Sequence, residues 1–215
     1  MTSTVQRRPK HRSCRRRRRT LLRAVIFFSA VAAGLAALWF TPARAAQKRV
    51  RRLETLTVPE WVQPALLDTG GARSGQRLED VRGIVIHYVG NPGTTAMNNR
   101  NYFAKPDTEV CSHFVVGLDG EIVQCVPLWE QAVASNARNR DTIAVEVCHP
   151  DDSGRFGEET YAAVVRLTAW LCREAGLPAD SVIRHYDVTG KECPRYYVRH
   201  EDAWQRLRAD IAEAI

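Results

Sequence analysis

The segment Arg184-His185-Tyr186-Asp187-Val188-Thr189-Gly190-Lys191-Glu192-Cys193-Pro194 carries an imidazole, an ammonium and a thiol within one turn-rich stretch. It begins where a short apolar run, residues 181–183, ends. A neutral imidazole nitrogen and a thiolate both suit a borderline-soft cation, so His185 and Cys193 are interpreted as two zinc ligands. A third ligand must then come from another part of the chain.

The best candidate for the third ligand is His87, which closes the apolar run of residues 83–87. Taken alone, a histidine at a strand end is more simply a core residue bonded to a backbone carbonyl. Strands that each deliver one ligand to a common edge would instead build a catalytic site with an open fourth position. The three residues together therefore favour a metal site.

Four segments carry a family resemblance: residues 84–90, 112–116, 143–147 and 185–194. Their order and spacing resemble those of the zinc-dependent N-acetylmuramoyl-L-alanine amidases, in the branch with phage-type lysozyme-amidases, which is similar to peptidoglycan recognition proteins. The resemblance covers residues 66–215, and the combination of motifs is specific although no single motif is. It implies hydrolysis of the amide that joins N-acetylmuramic acid to L-alanine in peptidoglycan stem peptides.

The resemblance also implies roles for single residues. His87, His185 and Cys193 would hold Zn²⁺, and Lys191 matches the lysine that faces the developing oxyanion. Glu146 matches the glutamate that some bacterial branches use as general base. It ends an apolar strand, where a carboxylate costs several kcal/mol to bury without partners. A pocket of low dielectric would raise its pKa toward a useful value.

Three residues are expected to contact the substrate: His113, Tyr88 and Asn91. His113 matches a histidine beside the family's site, and we interpret it as a wall of the groove and not as a ligand. Some branches place a tyrosine base directly before this histidine. Here that position is Ser112, which shifts the role of base onto Glu146.

One segment departs from the family pattern. Where many relatives carry Trp-His after the hairpin, this chain has Ala132-Val133-Ala134-Ser135-Asn136. That part of the substrate groove is therefore altered. The remaining histidines, His11, His149 and His200, are predicted to lie on the surface.

The pattern of elements predicts an α/β fold, a single domain with a central mixed β-sheet flanked by helices. A strand, a short helix at 94–104 and a hairpin at 112–126 come first. A strand at 143–149, a helix at 158–175, a strand at 182–184 and a helix at 202–215 follow. The 158–175 helix is the clearest, because apolar residues recur at i, i+3 and i+4 and acids occupy its first turn.

Charge divides the chain into two parts. No Asp or Glu precedes Glu54, and residues 1–52 hold 15 of the 31 Lys and Arg residues. Residues 53–215 carry 16 basic against 24 acidic side chains, a net charge of −8. The pI near 9.3 reflects the tail, so no nucleic-acid partner is predicted for the folded part.

The tail predicts a membrane partner. Residues 1–20 are interpreted as a basic cytoplasmic tail and the apolar residues 21–40 as a transmembrane helix that acts as a signal anchor. The domain at 66–215 would then lie outside the cytoplasm at the cell membrane, after a linker at 41–65. Ala43-Arg44-Ala45 offers the alternative of signal-peptidase cleavage, which would yield a secreted form.

The sequence leaves alternatives open for both the function and the state of the cysteine thiols. A non-catalytic peptidoglycan-binding module is one rival to the enzyme, although such proteins usually lose the cysteine ligand that Cys193 preserves. A zinc peptidase is a second, but the chain contains no HExxH. We expect a monomer. A disulfide among Cys111, Cys125, Cys148 and Cys172 stays open, with buried free thiols favoured.

Overall fold

The computed structural model describes residues 42–215, where six strands form one sheet in the order β1-β4-β3-β5-β2-β6. The strands are β1 Val62–Pro64, β2 Gly83–Ile86, β3 Phe114–Val116, β4 Ile122–Gln124, β5 Thr142–Val147 and β6 Val182–Arg184. β3 and β4 pair antiparallel as the predicted hairpin, and every other neighbouring pair is parallel. The prediction of a mixed sheet is confirmed.

Helices pack against both faces of this sheet. They are α1 Pro42–Glu54, α2 Ala96–Phe103, α3 Glu158–Ala175, α4 His185–Thr189, α5 Arg195–Arg199 and α6 Glu201–Ala214, with short 3₁₀ turns at Asn136–Arg138 and Ala179–Ser181. The main core joins Ile84 and Ile86 of the sheet to α3 and α6. A smaller core joins Val115 and Val123 to α2. Alternate residues of β3 and β4 therefore serve opposite cores.

The longest helix, α3, has the predicted bounds. Glu158 and Glu159 occupy its first turn, where negative charge complements the helix dipole. It ends at Gly176, whose φ of 67° is left-handed, so that its N–H can bond the Cys172 carbonyl. Its apolar stripe is buried against the sheet, as the periodicity predicts.

Residues 41–65 differ from the predicted linker, because they include α1 and β1. Val50 and Leu53 of α1 are at most 1% exposed and belong to the main core. Ala46, Val50 and Leu53 recur at i, i+4 and i+7, a narrow apolar stripe within a strongly basic stretch. The basic residues dominate the local pattern, which is why the sequence predicts a solvated spacer here.

An ion pair holds α1 in place. Arg49 donates two hydrogen bonds to Asp80, at 2.9 and 2.8 Å. Asp80 is buried and also accepts from Arg82 at 2.9 Å and from the backbone N–H of Val81. These bonds hold the pKa of the Asp80 carboxyl below its usual value, against the opposing effect of burial. From Ala46 onward, α1 is thus part of the folded domain and not a tether.

Two further predictions concern the membrane span and the state of the cysteine thiols. The predicted tail 1–20 and span 21–40 lie outside the described residues, and no helix within residues 42–215 is long and apolar enough to cross a bilayer. Cys111, Cys125, Cys148, Cys172 and Cys193 are all buried free thiols. Within the described part of the chain, the favoured thiol state is therefore confirmed.

The docking of α1 predicts the effect of Leu53→Ala. Removal of this fully buried side chain should lower the free energy of unfolding by about 2–5 kcal/mol, because a cavity remains in the core. Gln47→Ala, on the exposed side of the same helix, should change it by less than about 0.5 kcal/mol. Urea denaturation measures both. Equal stability of the two variants would contradict a docked helix.

Candidate metal centre

The register of three parallel strands places polar residues side by side. Ile86 of β2 aligns with Val145 of β5 and with Arg184 of β6. The next residues along these strands are His87, Glu146 and His185, respectively. Since parallel strands end at a common edge, these side chains meet at the carboxyl edge of the sheet, where ligands bind in open α/β sheets.

Cys193 joins this edge from the loop after α4. One donor atom from each of His87, His185 and Cys193 lies within 4.8 Å of the others, and all three residues are buried. The Cys193 Sγ is 3.9 Å from the His87 Nδ1. Donors around a tetrahedral zinc ion are roughly 3.4–3.8 Å apart, as its bond lengths require. The predicted ligand set is therefore assembled in the fold.

The other ring nitrogen of each histidine is occupied. The His87 Nε2 is 3.1 Å from the Ser135 Oγ, and the His185 Nε2 is 2.9 Å from the Asn136 Oδ1. The His185 Nδ1 is buried and has no hydrogen-bond partner. Such an unsatisfied atom costs about 1–3 kcal/mol, which a cation at its lone pair would remove. The donor set and this orphaned nitrogen fit zinc.

Burial sets the protonation states of the three ligands. It lowers the pKa of His87 well below the usual value, with smaller contributions from the charges of His185 and Lys191, and it lowers the pKa of His185. Burial also raises the pKa of Cys193 to about 12. Both rings are therefore neutral, as metal binding requires, whereas the thiol must lose its proton when a metal binds. The backbone N–H of Tyr88 bonds this sulfur and favours the thiolate.

Glu146 lies at the edge of the ligand cluster. Its Oε1 is 4.0 Å from the His87 Nδ1, and its Oε2 is buried without a hydrogen-bond partner. Burial raises the pKa of Glu146 to about 8, and the charge of Lys191 opposes this shift. A carboxyl group that titrates near neutral pH is suited to accept and return a proton.

Arg184 connects the ligand segment to the C-terminal helices. Its guanidinium donates to the Tyr197 carbonyl at 2.9 Å, to Glu201 at 2.7 Å and to Asp187 at 2.9 Å, and it lies 5.2 Å from the Trp204 ring. The backbone N–H of Arg184 also donates to Asp187 at 2.8 Å, which fixes the start of α4. This residue was not among those predicted from the sequence, although an arginine that ends an apolar strand was a signal.

Two histidines differ from their predictions. His113 is fully buried: its Nε2 is 2.8 Å from the Glu130 carbonyl, and its Nδ1 accepts from the Ala144 N–H at 3.0 Å. A ring enclosed in this way does not fit the predicted substrate contact. His149, predicted on the surface, is 1% exposed and packs against Tyr88, with ring centroids 5.1 Å apart and ring planes tilted by 33°. His200 is exposed as predicted, and His11 lies outside the described residues.

The two remaining predicted substrate residues lie on the segment that follows His87. Tyr88 is partly buried, and the Arg195 guanidinium lies 5.6 Å from its ring. Asn91 is exposed in the next turn, where its carbonyl accepts from the Thr94 hydroxyl. Lys191 is exposed and precedes Cys193 by two residues. Contact of these side chains with a substrate stays a prediction.

Comparison with known proteins decides the family. Residues 77–196 match the family model described as N-acetylmuramoyl-L-alanine amidase. The chain belongs to this family. The resemblance drawn from the sequence is thereby confirmed for residues that include all three candidate ligands, Glu146 and Lys191.

Among the relatives of this amidase-family chain, a probable N-acetylmuramoyl-L-alanine amidase of Bacillus licheniformis is 37% identical over 143 residues, 59% of this chain and 40% of that protein. The amidase CwlL of the same organism is 33% identical over 157 residues, 65% of this chain and 43% of that protein. The chain thus spans less than half the length of these curated relatives.

Solved structures agree with the family assignment. A mutant endolysin from Bacillus subtilis has a TM-score of 0.61 at 29% identity, covering 70% of this chain and 97% of that one. The catalytic domain of XlyA has a TM-score of 0.61 at 28% identity, covering 70% and 98%. The similarity therefore extends over nearly the whole of each of these solved chains.

The geometry predicts different effects for the ligands and for His113. His87→Ala, His185→Ala and Cys193→Ala should each lower zinc content, because each removes one of three donors. His113→Ala should keep its zinc but lower the free energy of unfolding by about 1–3 kcal/mol for each backbone group left unpaired. Elemental analysis and urea denaturation measure the two effects. Loss of zinc in a folded His113→Ala protein would contradict this assignment.

Proposed function

We propose that this chain is a zinc-dependent N-acetylmuramoyl-L-alanine amidase. Its reaction is hydrolysis of the amide between N-acetylmuramic acid and the L-alanine of peptidoglycan stem peptides. The observation that carries this proposal is the cluster of His87, His185 and Cys193, with Glu146 4.0 Å from one ligand nitrogen, in a chain of the amidase family.

Each residue has a distinct role in this proposal. Zn²⁺ held by His87, His185 and Cys193 would supply a Lewis acid that polarises the scissile carbonyl and lowers the pKa of water. Glu146 accepts the proton of the attacking water and returns it to the leaving amine as the carbon–nitrogen bond breaks. Lys191 stabilises the charge on the carbonyl oxygen, a type of contribution worth roughly 3–4 kcal/mol per well-placed donor.

The position of Ser112 supports Glu146 as the base. The Ser112 hydroxyl is fully buried and donates to the Phe114 carbonyl at 2.7 Å. It is therefore enclosed, and its proton is engaged by a backbone carbonyl. His113 is enclosed likewise, so Glu146 is the candidate base that reaches the cluster.

The rival function is a peptidoglycan-binding module without hydrolysis. Binding alone needs neither a complete donor set nor a carboxyl group of raised pKa beside it. Both are present here, in Cys193 and Glu146. These residues favour the enzyme over the module.

The location also belongs to the proposal. The basic residues 1–20 and the apolar residues 21–40 support a signal anchor at the cell membrane, with the catalytic domain outside the cytoplasm. Cleavage after Ala45 would instead release a secreted form. A monomeric state and the lack of a nucleic-acid partner stay predictions.

Digestion of purified cell wall tests the reaction. The protein should release new L-alanine amino termini and leave muramic acid intact, which mass spectrometry of the products identifies. Glu146→Gln keeps the shape of the side chain and removes the base, so turnover should fall roughly 100-fold or more. Zinc content and muropeptide affinity should stay near wild type, because the lost interaction acts mainly in the transition state.

Three outcomes would contradict parts of this proposal. New reducing ends would indicate a glycosidase. Muropeptide binding without turnover in fully zinc-loaded protein would favour the recognition module. Unchanged turnover in Glu146→Gln would keep the enzyme and remove Glu146 as its base. Lys191→Ala should also lose turnover with little loss of affinity, which tests the oxyanion role separately.

Fractionation of cells tests the anchor. Full-length protein should partition with membranes, because 20 mainly apolar residues suffice to span the hydrocarbon layer at about 1.5 Å per residue. Its C-terminal domain should be digested by protease added outside the cytoplasm, with a cytoplasmic protein as protected control. A soluble exported form that begins near Ala46 would show cleavage instead.

A further inference from the structure

Two adjacent residues, Ser135 and Asn136, contact the two histidines of the candidate metal centre. We infer that Ser135 and Asn136 are positioning residues that hold the imidazoles of His87 and His185 in the tautomer whose Nδ1 is free to bind a metal. This inference rests on the zinc site of the proposed function. It assigns a role to the segment that departs from the usual family pattern.

The contact of Asn136 with His185 is chemically selective. A carboxamide oxygen can only accept a hydrogen bond, so the His185 Nε2 at 2.9 Å must carry the proton. A neutral imidazole has one ring proton, so Nδ1 carries none and keeps a free lone pair. That Nδ1 is the buried atom without a partner. The lone pair of Nδ1 is thus available to a cation before any metal binds.

Ser135 acts on His87 in a less restrictive way. Its hydroxyl lies 3.1 Å from the His87 Nε2, and Ser135 is only 1% exposed. A hydroxyl can donate or accept, so this contact orients the ring more than it selects the tautomer. The Cys193 Sγ, 3.9 Å from the His87 Nδ1, marks the side that the metal would occupy. We therefore expect a smaller effect from Ser135 than from Asn136.

The backbone at Asn136 has an unusual conformation. Asn136 has a φ of 53°, the one positive φ among the non-glycine residues described. Asparagine and aspartate tolerate this left-handed region better than most other side chains. The Asn139 Oδ1 accepts the N–H groups of Ala134 and Ser135, at 3.1 and 2.6 Å, which secures the loop from within. The carboxamide of Asn136 is therefore delivered to His185 by a fixed turn.

The conformation supplies a matched set of variants. Asn136→Gly keeps a left-handed backbone at no steric cost and removes the carboxamide. Asn136→Asp keeps both the conformation and the accepting oxygen. A purely conformational role would be served by glycine, whereas a role toward His185 needs the oxygen. The two variants therefore separate the two explanations.

Zinc affinity of the full-length protein, measured by competition with a chelator, is the first readout. Loss of a partner that orients a ligand typically costs about 10- to 100-fold in metal affinity, and we expect this for Asn136→Gly. Asn136→Asp should stay within about threefold of wild type or bind more tightly. Ser135→Ala should show a loss smaller than that of Asn136→Gly. Asn101→Ala, which removes an exposed carboxamide from α2, should have no effect.

The tautomer itself is the second readout, and it needs no metal. Nitrogen-15 NMR of the metal-free protein should show His185 protonated at Nε2 in wild type and Asn136→Asp. Asn136→Gly should contain a mixture with the Nδ1-protonated form. Wild-type zinc affinity together with an unchanged tautomer in Asn136→Gly would overturn the inference. Should that variant fail to fold, an unchanged zinc affinity in Ser135→Ala together with a weakened one in Asn136→Asp would overturn it.

The same preparations separate this inference from the proposed function. Wild-type protein that binds zinc and shows the expected variant effects, but does not digest cell wall, would support the inference and contradict the amidase proposal. Digestion of cell wall by wild type, with wild-type zinc affinity and an unchanged His185 tautomer in Asn136→Gly, would support the amidase proposal and overturn the inference. Absence of zinc binding in wild type would overturn both.

Discussion

In a parallel sheet the register of neighbouring strands decides which side chains leave the sheet at the same level. Here the alignment of Ile86 with Val145 and Arg184 brings His87, Glu146 and His185 to one edge. A shift of one residue in either pairing would turn one of these groups to the opposite face. The cores on both faces of the sheet hold this register, so the chemistry at the edge depends on apolar packing below it.

Burial at this edge has an electrostatic cost that the fold leaves unresolved without a cation. The imidazoles are held neutral, the Cys193 thiol keeps its proton, and Glu146 has its pKa raised to about 8. Two buried polar atoms, the His185 Nδ1 and the Glu146 Oε2, lack partners. A divalent cation would bind the neutral imidazoles as they stand and would favour the ionised forms of Cys193 and Glu146, so metal binding and proton release are coupled.

The elements and most of the candidate site could be predicted from the sequence, and particular residues show why the rest could not. Helix α3 can be predicted from local signals alone: an apolar stripe, two glutamates in its first turn and a glycine at its end, all within 19 residues. Helix α1 has a similar stripe but is obscured by basic residues, and the partner of Arg49, Asp80, lies 31 positions away. Whether a histidine is a ligand or a buried backbone partner, as with His113, depends on contacts that no local pattern encodes.

The contacts of Arg184 have a consequence for how the protein moves. Through Tyr197, Glu201 and Trp204 this one guanidinium joins the segment that carries His185 and Cys193 to α5 and α6. These elements should therefore open and close together as one unit of local unfolding, whereas His87 stays with the central sheet. A metal ion bound by His87 on one side and by His185 and Cys193 on the other would hold the two parts together. Amide protons of α6 would then exchange with solvent more slowly in the loaded protein, although none of the three ligands comes from that helix.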